Sequence, residues 1–208
     1  MTTLALPTLV HLVDDDASVR AALEDLLASV GLTTRSYVSA ADFLAQASFD
    51  VPACLVLDVR MPGMNGLDLQ QELQRRGLAL PIIFITGHGD IPMSVRAMKQ
   101  GALEFLTKPF RDQDLLDAID QALRKAQEAH VQRAQLQELQ TRVETLNEGE
   151  RAVLARVVTG LLNKQIAAQL GVSEITVKVR RAALMRKLQA GSLAELVKMV
   201  ERLESARA

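Results

Sequence analysis

Five polar residues that could handle a phosphoryl group stand at the ends of apolar runs. They are Asp14, Asp15, Asp58, Thr86 and Lys108. Three clustered carboxylates repel one another and need a cation, and oxygen-only ligands suit a hard ion such as Mg²⁺. Lysine and threonine can contact phosphate oxygens, and a carboxylate held beside Mg²⁺ can act as a nucleophile and form an acyl phosphate. The pattern therefore predicts phosphoryl chemistry, with a solvated loop at a helix start as the alternative for 14–16.

Short apolar runs alternate with helical patterns over the first 125 residues, and these elements must position the polar residues. We predict strands near 9–13, 33–37, 53–57, 81–86 and 103–107, and helices near 17–30, 39–47, 66–76, 91–100 and from 112 onward. Five strands alternating with five helices predict an α/β fold, a parallel sheet with helices on both faces. Because sites in such sheets lie at the C-terminal strand ends, the five residues should meet at one edge.

Composition places the chain among ordinary globular proteins. Of its 208 residues, 49% are hydrophobic and 24% charged, which excludes a largely disordered chain, a collagen and a coiled-coil rod. Tryptophan is absent and aromatics are 3%, so the cores must be aliphatic. The single Cys54 excludes a disulfide framework or a multi-cysteine zinc site, and its apolar run predicts burial. The N-terminus lacks the basic region of a signal peptide, so we expect a cytoplasmic protein without membrane association.

Charge is distributed unevenly along the chain. Residues 1–125 contain 16 acidic and 11 basic residues, whereas residues 147–208 contain 6 acidic and 11 basic residues. An acidic front and a basic tail indicate two domains with different partners, and a small basic domain favours nucleic acid as one of them.

A long helix is predicted to follow the sheet. From Gln113 to Leu146 there is no proline or glycine, and apolar residues recur at steps of three and four with one interruption at Arg133. Residues 115–126 should pack on their own domain. Beyond Ala129 we expect the stripe to pair with a second chain or with the C-terminal domain.

The C-terminal part contains four helical segments. They lie near 148–159, 163–170, 174–188 and 192–204. A short helix, a turn containing Gly171 and a second helix form a helix-turn-helix pattern. On the helix that starts near Glu174, we expect Ile175, Ala182 and Met185 to offer packing surface. The cationic residues of this helix are Lys178, Arg180, Arg181, Arg186 and Lys187, and a cationic helix can enter the major groove. The alternative is a solvated cationic face.

Residues 7–125 resemble the receiver domain of two-component response regulators. The segments that carry the resemblance are Val13-Asp14-Asp15-Asp16, Leu57-Asp58-Val59-Arg60-Met61-Pro62-Gly63-Met64-Asn65-Gly66, Ile85-Thr86-Gly87-His88-Gly89-Asp90 and Phe105-Leu106-Thr107-Lys108-Pro109-Phe110. The resemblance implies a flavodoxin-like, five-stranded doubly wound fold. It also implies Mg²⁺ (or Mn²⁺) as cofactor and a cis bond between Lys108 and Pro109.

The receiver resemblance also implies a role for each site residue. Asp58 would be the phosphoacceptor, and Thr86 and Lys108 would contact the phosphoryl group. Asp15 would bind the metal directly and Asp14 through water. The remaining implied roles are a metal contact from the backbone carbonyl of Arg60 and a switch formed by Thr86 with Phe105. We expect His88 to be a loop residue beside the site, with a catalytic group as the alternative.

Residues 146–204 resemble the LuxR-type helix-turn-helix domain. The carrying segments are Leu161-Leu162-Asn163-Lys164-Gln165-Ile166-Ala167 and Ser173-Glu174-Ile175-Thr176-Val177-Lys178-Val179-Arg180-Arg181. Two departures stand out: Arg180 where the family often has histidine, and Asn-Glu-Gly at 147–149 where Thr-Pro-Arg is common.

The LuxR-type resemblance implies which residues contact DNA. Lys178 and Val179 would face base edges, with Arg181 as a nearby candidate. Asn163, Lys164 and Thr176 would contact the DNA backbone, and Arg180 could contact either the DNA backbone or a base edge.

The two resemblances together imply a response regulator of the FixJ/NarL class, and the long helix and the Gly87-His88-Gly89-Asp90 segment favour FixJ. We expect a receiver over 1–125, a helical linker over 126–145 and an all-α DNA-binding domain over 146–208. A sensor histidine kinase would phosphorylate Asp58 and so switch homodimerisation, binding to promoter DNA and contact with RNA polymerase.

Other functional classes remain as alternatives to a transcription regulator. A dedicated phosphate-transferring enzyme would need a second catalytic set, which 126–208 lack, so we expect no enzyme. A small-molecule-sensing LuxR-type regulator would need an apolar cavity instead of an acidic pocket. An interaction adaptor without DNA output is the main alternative.

Overall fold

A parallel β-sheet positions the acidic residues of the N-terminal part. The computed structural model describes residues 7–87 and 91–206, so His88 and the first six residues lie outside the described ranges. The strands are β1 (Leu9–Val13), β2 (Thr34–Tyr37), β3 (Ala53–Asp58), β4 (Ile82–Thr86) and β5 (Glu104–Thr107). They form one five-stranded parallel sheet in the order β2-β1-β3-β4-β5. The predicted strands and fold class are confirmed.

Helices connect the strands and cover both faces of the sheet. They are α1 (Ala17–Ser29), α2 (Ala40–Gln46), α3 (Gly66–Arg75), α4 (Ile91–Lys99) and α5 (Asp112–Glu144). Polar side chains start several of them: Asp16 accepts hydrogen bonds from two backbone N–H groups of α1, and Ser39 and Asn65 cap α2 and α3.

Two apolar clusters lie on opposite faces of the sheet. Along β3, Leu55 and Leu57 belong to one cluster with Phe84, whereas Cys54 and Val56 belong to the other with Leu115 on α5. Every residue of β3 is therefore buried, as expected for the central strand of a doubly covered parallel sheet. Cys54 is buried as predicted.

Four helices form the C-terminal part: α6 (Glu148–Val157), α7 (Asn163–Leu170), α8 (Glu174–Leu188) and α9 (Leu193–Ser205). The chain divides into two compact units, one up to His130 and one from Val131. The predicted long helix is confirmed as α5. Its last turns contribute to the second unit, where Leu139 is buried and Val143 packs against the core that contains Leu146. None of the helices in the described ranges has both the length and the apolar character needed to span a membrane.

A histidine lies buried in the first unit. His11 on β1 packs against the rings of Tyr37, Phe43 and Phe49, and its Nδ1 lies 3.1 Å from the Tyr37 hydroxyl. Burial lowers the pKa of His11 from 6.5 to about 4 because the charged imidazolium is poorly solvated there.

The depressed pKa of His11 predicts a loss of stability in mild acid. The unfolded chain takes up the proton near pH 6.5 and the folded chain only near pH 4, so the unfolding free energy should fall between these values. We expect a loss of about 2 kcal/mol from pH 7.5 to pH 5 that is absent in His11→Gln. Denaturant unfolding followed by fluorescence of Tyr37, the sole tyrosine, measures it. Parallel pH curves for the two proteins would contradict this assignment.

Candidate functional site

The parallel register brings the predicted acidic residues and lysine to one edge of the sheet. Val13 pairs with Leu57, and Thr86 pairs with Thr107. Asp14 and Lys108 each follow the last residue of a strand, whereas Asp58 and Thr86 are themselves the last residues of β3 and β4. All four groups therefore lie at the C-terminal edge.

Lys108 joins the two buried carboxylates. Its Nζ donates to Asp14 Oδ2 at 2.8 Å and to Asp58 Oδ1 at 3.1 Å. Asp14 is 1% exposed and Asp58 is 6% exposed. Since two buried carboxylates repel each other, the ammonium group between them offsets much of that repulsion.

Backbone groups hold the remaining carboxylate oxygens. The N–H of Arg60 donates to Asp58 Oδ2 at 2.6 Å, and the N–H of Asp16 donates to Asp14 Oδ1 at 2.9 Å. Arg20 donates to the carbonyl oxygen of Asp14 at 2.7 Å. The orientation of both carboxylates is thus set on one side by the backbone and on the other by Lys108.

Burial and charge act in opposite directions on the two partners. Burial raises the pKa of the Asp58 carboxyl, while the hydrogen bond and charge of Lys108 partly offset this. Burial alone would lower the pKa of Lys108, but its bonds to Asp14 and Asp58 outweigh that effect and raise it. Lys108 therefore remains a cation at neutral pH.

The expected metal ligands are only partly brought together. Asp14 and Asp58 converge on Lys108, but the Asp15 side chain is exposed. Across residues 7–87 and 91–206, no three His, Cys, Asp or Glu side chains are grouped closely enough to hold a metal ion. Asp16, which the sequence placed in the same acidic run, caps α1, and its pKa is lowered by the N–H groups of Ser18 and Val19.

The proposed switch residues lie beside the acidic pocket. Thr86 is buried, and its backbone carbonyl accepts a hydrogen bond from the N–H of Lys108 at 2.8 Å. Phe105 is half-buried, and its ring centroid lies 6.1 Å from that of Phe84. The peptide bond between Lys108 and Pro109 is cis, as expected.

The second unit contains a helix-turn-helix built on a left-handed glycine. Gly171 ends α7 with φ 64°, a conformation that costs glycine little, and Ser173 then caps α8 by accepting from the N–H of Thr176. This short turn sets α8 against α6 and α7.

The buried face of α8 differs from the predicted one. Val177, Leu184 and Leu188 are buried in the core, with Met185 packed against it. Ile175 is 73% exposed and Ala182 is also exposed, so the expectation that these two offer packing surface is wrong. Ile175 lies two residues before Val177, and about 200° of helical rotation places it on the opposite side.

Some of the predicted DNA-contacting residues are exposed, and others are held by hydrogen bonds within the unit. Lys164, Lys178 and Val179 are exposed, although Lys178 also lies 3.6 Å from Glu174. The half-buried Arg181 donates to Asn163 Oδ1 at 3.1 Å, which links α8 to α7.

Two further candidates have local contacts of their own. The half-buried Thr176 lies with its hydroxyl 2.9 Å from that of Ser173. Arg180 lies against Gly149, where a Cβ atom would be 2.7 Å from the Arg180 Cζ. Neither side chain is as open to a ligand as Val179, which is 63% exposed.

Residues 10–120 match the response regulator receiver domain family, and residues 144–200 match the bacterial regulatory proteins of the luxR family. Nodulation protein W of Bradyrhizobium diazoefficiens is 51% identical over 94% of this chain and 86% of its own length. The chain belongs to the response regulators.

Further relatives of this response regulator cover nearly its whole length. Response regulator protein TmoT of Ectopseudomonas mendocina is 47% identical over 95% of this chain and 90% of its own. The solved structure of response regulator StyR is 48% identical with a TM-score of 0.83, covering 94% of this chain and 99% of that one.

Two FixJ proteins are also similar to this chain over nearly its whole length. The full-length FixJ structure from B. japonicum is 40% identical with a TM-score of 0.55, covering 95% of this chain and 97% of that one. Transcriptional regulatory protein FixJ of Azorhizobium caulinodans is 46% identical over 91% of this chain and 90% of its own. The relatives are regulators, so the expectation that this response regulator is not a dedicated enzyme is confirmed.

An ion pair that was not expected from the sequence joins the buried Glu150 of α6 to the half-buried Lys187 of α8. Lys187 Nζ donates to Glu150 Oε2 at 2.6 Å and to the carbonyl oxygen of Thr145 at 3.1 Å, and Glu150 also accepts from the N–H of Asn147. These bonds lower the pKa of Glu150. The spacing of Asn147 and Glu150 was the available signal, because it is that of a capping box.

Removing Lys187 should destabilise the DNA-binding unit. In Lys187→Met the Glu150 carboxylate loses its cation, so we expect a lower midpoint of thermal unfolding at neutral pH. Because the folded pKa of Glu150 is depressed, the pair stabilises above pH 4.5 and that contribution disappears as the pH falls below it. Circular dichroism melts of Lys187→Met against the exposed Lys198→Met measure the effect. Equal midpoints for the two variants at pH 7 would contradict it.

Proposed function

We propose that this response regulator is phosphorylated on Asp58 by a sensor histidine kinase and then dimerises and binds specific promoter DNA to regulate transcription. The observation that carries the proposal is the Lys108 bridge between Asp14 and Asp58, in one chain with a helix-turn-helix unit. We propose 1–125 as the receiver, 126–145 as the linker and 146–208 as the DNA-binding domain. Contact with RNA polymerase and a cytoplasmic location follow from this function.

Phosphotransfer to Asp58 is the first proposed step. A carboxylate oxygen of Asp58 attacks the phosphorus of a phosphohistidine, a P–O bond forms, and the P–N bond breaks with its electron pair left on the imidazole. Lys108 is already within hydrogen-bonding distance of Asp58, so its ammonium can contact the incoming phosphoryl oxygens. The Thr86 hydroxyl would contact another of these oxygens.

The acidic residues suit a magnesium ion. Buried Asp14 and Asp58 offer carboxylate oxygens, and exposed Asp15 and the backbone carbonyl of Arg60 follow them in sequence. Mg²⁺ (or Mn²⁺) prefers such hard oxygen donors and often binds only one or two carboxylates with water and phosphate oxygens. When bound, the ion would neutralise charge between the carboxylates and the phosphoryl group.

Replacing Asp58 tests the phosphoacceptor directly. Asp58→Asn should show no stable labelling by acetyl phosphate, because the amide is a poor nucleophile, and chelating Mg²⁺ should abolish labelling of the wild type. Phosphate-affinity electrophoresis or intact mass measures both. Asp50→Asn, an exposed aspartate of the same unit, is the matched control. Undiminished labelling of Asp58→Asn would place the nucleophile elsewhere, with Asp14, Asp15 and Asp16 next to test.

The surface formed by 91–105 is the proposed dimer contact. Ile91 is 80% exposed, and Val95 and Met98 on α4 are also exposed. β5 is an edge strand of the sheet, and Phe105 on it packs next to the β4 strand that ends in Thr86. An inward movement of Thr86 followed by Phe105 would change this surface when Asp58 carries about −1.5 to −2 charges.

A charged residue on this surface should block dimerisation without blocking phosphorylation. In Val95→Glu, association would bury the introduced carboxylate of each protomer at the contact, which is unfavourable. We therefore expect the phosphorylated protein to remain monomeric while labelling proceeds normally. Analytical ultracentrifugation with and without acetyl phosphate measures it. Val38→Glu, also at an exposed valine, should dimerise like the wild type. If the wild type keeps one association state throughout, release of a contact through the linker becomes the better explanation.

The exposed residues of the helix-turn-helix are the proposed DNA contacts. Lys178 and Val179 would face base edges in the major groove, because the N-terminal turns of the second helix approach them. Lys164, Asn163 and Thr176 would contact the sugar-phosphate backbone of the DNA. Arg181 is the nearby base candidate, although it also holds Asn163, and Arg180 completes the set. A dimer would place two copies of α8 on half-sites about one helical turn apart.

Two lysines separate base contacts from phosphate contacts. Lys178→Ala should reduce preference for operator over scrambled DNA by roughly 1–3 kcal/mol. Lys164→Ala should weaken both DNAs alike and lower the salt-dependence slope by about one. Fluorescence anisotropy titrations at several salt concentrations measure both, with the exposed Lys198→Ala on α9 as control. The reversed pattern would contradict the docking, and no preference in the wild type would favour the adaptor without DNA output.

A further inference from the structure

We propose that Ile175 is a specificity-determining residue that, together with Val179, packs on the 5-methyl groups of thymine in the major groove. The inference rests on the DNA binding proposed above. It adds a base identity to that function and gives a role to the exposed Ile175 side chain.

The two side chains form one apolar patch on α8. Ile175 is 73% exposed and Val179 is 63% exposed, and residues four apart share one face of a helix. The opposite face carries the core residues Val177, Leu184 and Leu188, all fully buried. The patch is therefore not needed to hold the second unit together.

The position of the patch matches the part of a recognition helix that meets bases. Ile175 is the second residue of α8 and lies in its first turn, after the cap at Ser173. The N-terminal residues of the second helix are those that contact base edges in helix-turn-helix complexes. An exposed isoleucine there is therefore placed where base edges would be contacted.

The charges around the patch favour DNA over a protein partner. Lys178 lies beside Val179 with its side chain 63% exposed, and its 3.6 Å ion pair with the exposed Glu174 is a weak surface contact that leaves it able to reach a phosphate. The exposed Arg186 continues the same side of α8. The cations are complementary to the phosphates of DNA, and the apolar pair between them is complementary to an apolar group on a base. Thymine is the base that presents a methyl group in the major groove.

Substituting deoxyuridine for thymine tests the contact one methyl group at a time. The probe is the consensus duplex recovered by selection from a random-sequence duplex library with the full-length protein treated with acetyl phosphate. Thymines of this duplex are then replaced singly by deoxyuridine, which lacks only the methyl group. We expect the wild type to lose about fourfold in affinity at one or two positions, the value for burying one methyl-sized group.

A variant of Ile175 should erase that sensitivity. Ile175→Ser should bind the consensus about fourfold more weakly and should show no further loss on deoxyuridine at one of the sensitive positions. Val38→Ser, at an exposed valine of the other unit, should keep the wild-type response. Circular dichroism of Ile175→Ser should match the wild type, because the side chain lies outside the core.

Each other result overturns a distinct statement. If selection gives no consensus, sequence-specific DNA binding fails and this inference fails with it. If there is a consensus but Ile175→Ser retains the full deoxyuridine effect at every thymine, DNA binding stands and the role of Ile175 is wrong. If Ile175→Ser changes the association state in ultracentrifugation without DNA, the patch is a protein interface instead.

Discussion

The ammonium group of Lys108, held between the buried carboxylates of Asp14 and Asp58, is the interaction on which the receiver site depends. Two carboxylates and one lysine leave a net negative charge in a poorly solvated pocket, and burial raises the pKa of Asp58 in spite of the lysine. Such a pocket attracts cations, and any group that adds or removes charge there changes the electrostatic balance between the carboxylates and Lys108. A phosphoryl group on Asp58 would therefore change the position that Lys108 prefers. Lys108 directly follows β5, and its backbone N–H donates a hydrogen bond to the carbonyl oxygen of Thr86 at the end of β4. A movement of Lys108 would therefore be passed to the ends of β4 and β5.

The sheet makes this arrangement possible through register alone. Adjacent parallel strands place Val13 beside Leu57 and Thr86 beside Thr107, so residues distant in sequence arrive at one edge. Close packing keeps them there: a Cβ atom on Gly66 would overlap the carbonyl oxygen of Asp58 and lie 3.1 Å from the ring of Phe84. The glycine thus lets α3 begin directly against the end of β3. A larger residue would displace the strand that carries Asp58.

The strands, helices and edge residues could be predicted from the sequence because apolar runs and helical spacing are local signals. Side-chain exposure at the site could not, because it depends on three-dimensional packing. Asp14 and Asp15 are adjacent in sequence, yet the first is buried on Lys108 and the second is exposed. For α8 a local signal is present in the sequence: Val177, Leu184 and Leu188 recur at steps of seven and four and form the buried stripe. That stripe by itself places Ile175 on the outside.

Two departures from the LuxR-type pattern prove to be one structural feature. Arg180 stands where histidine is frequent and Gly149 stands where arginine is common, and in the fold the Arg180 guanidinium lies on Gly149 at the start of α6. Any side chain at 149 would start within 2.9 Å of that guanidinium, so the small residue makes room for the large one. The contact holds the Arg180 guanidinium against the start of α6. If α8 binds DNA as proposed, an arginine held at α6 is better placed for the DNA backbone than for a base edge, which are the two roles that the sequence left open for Arg180.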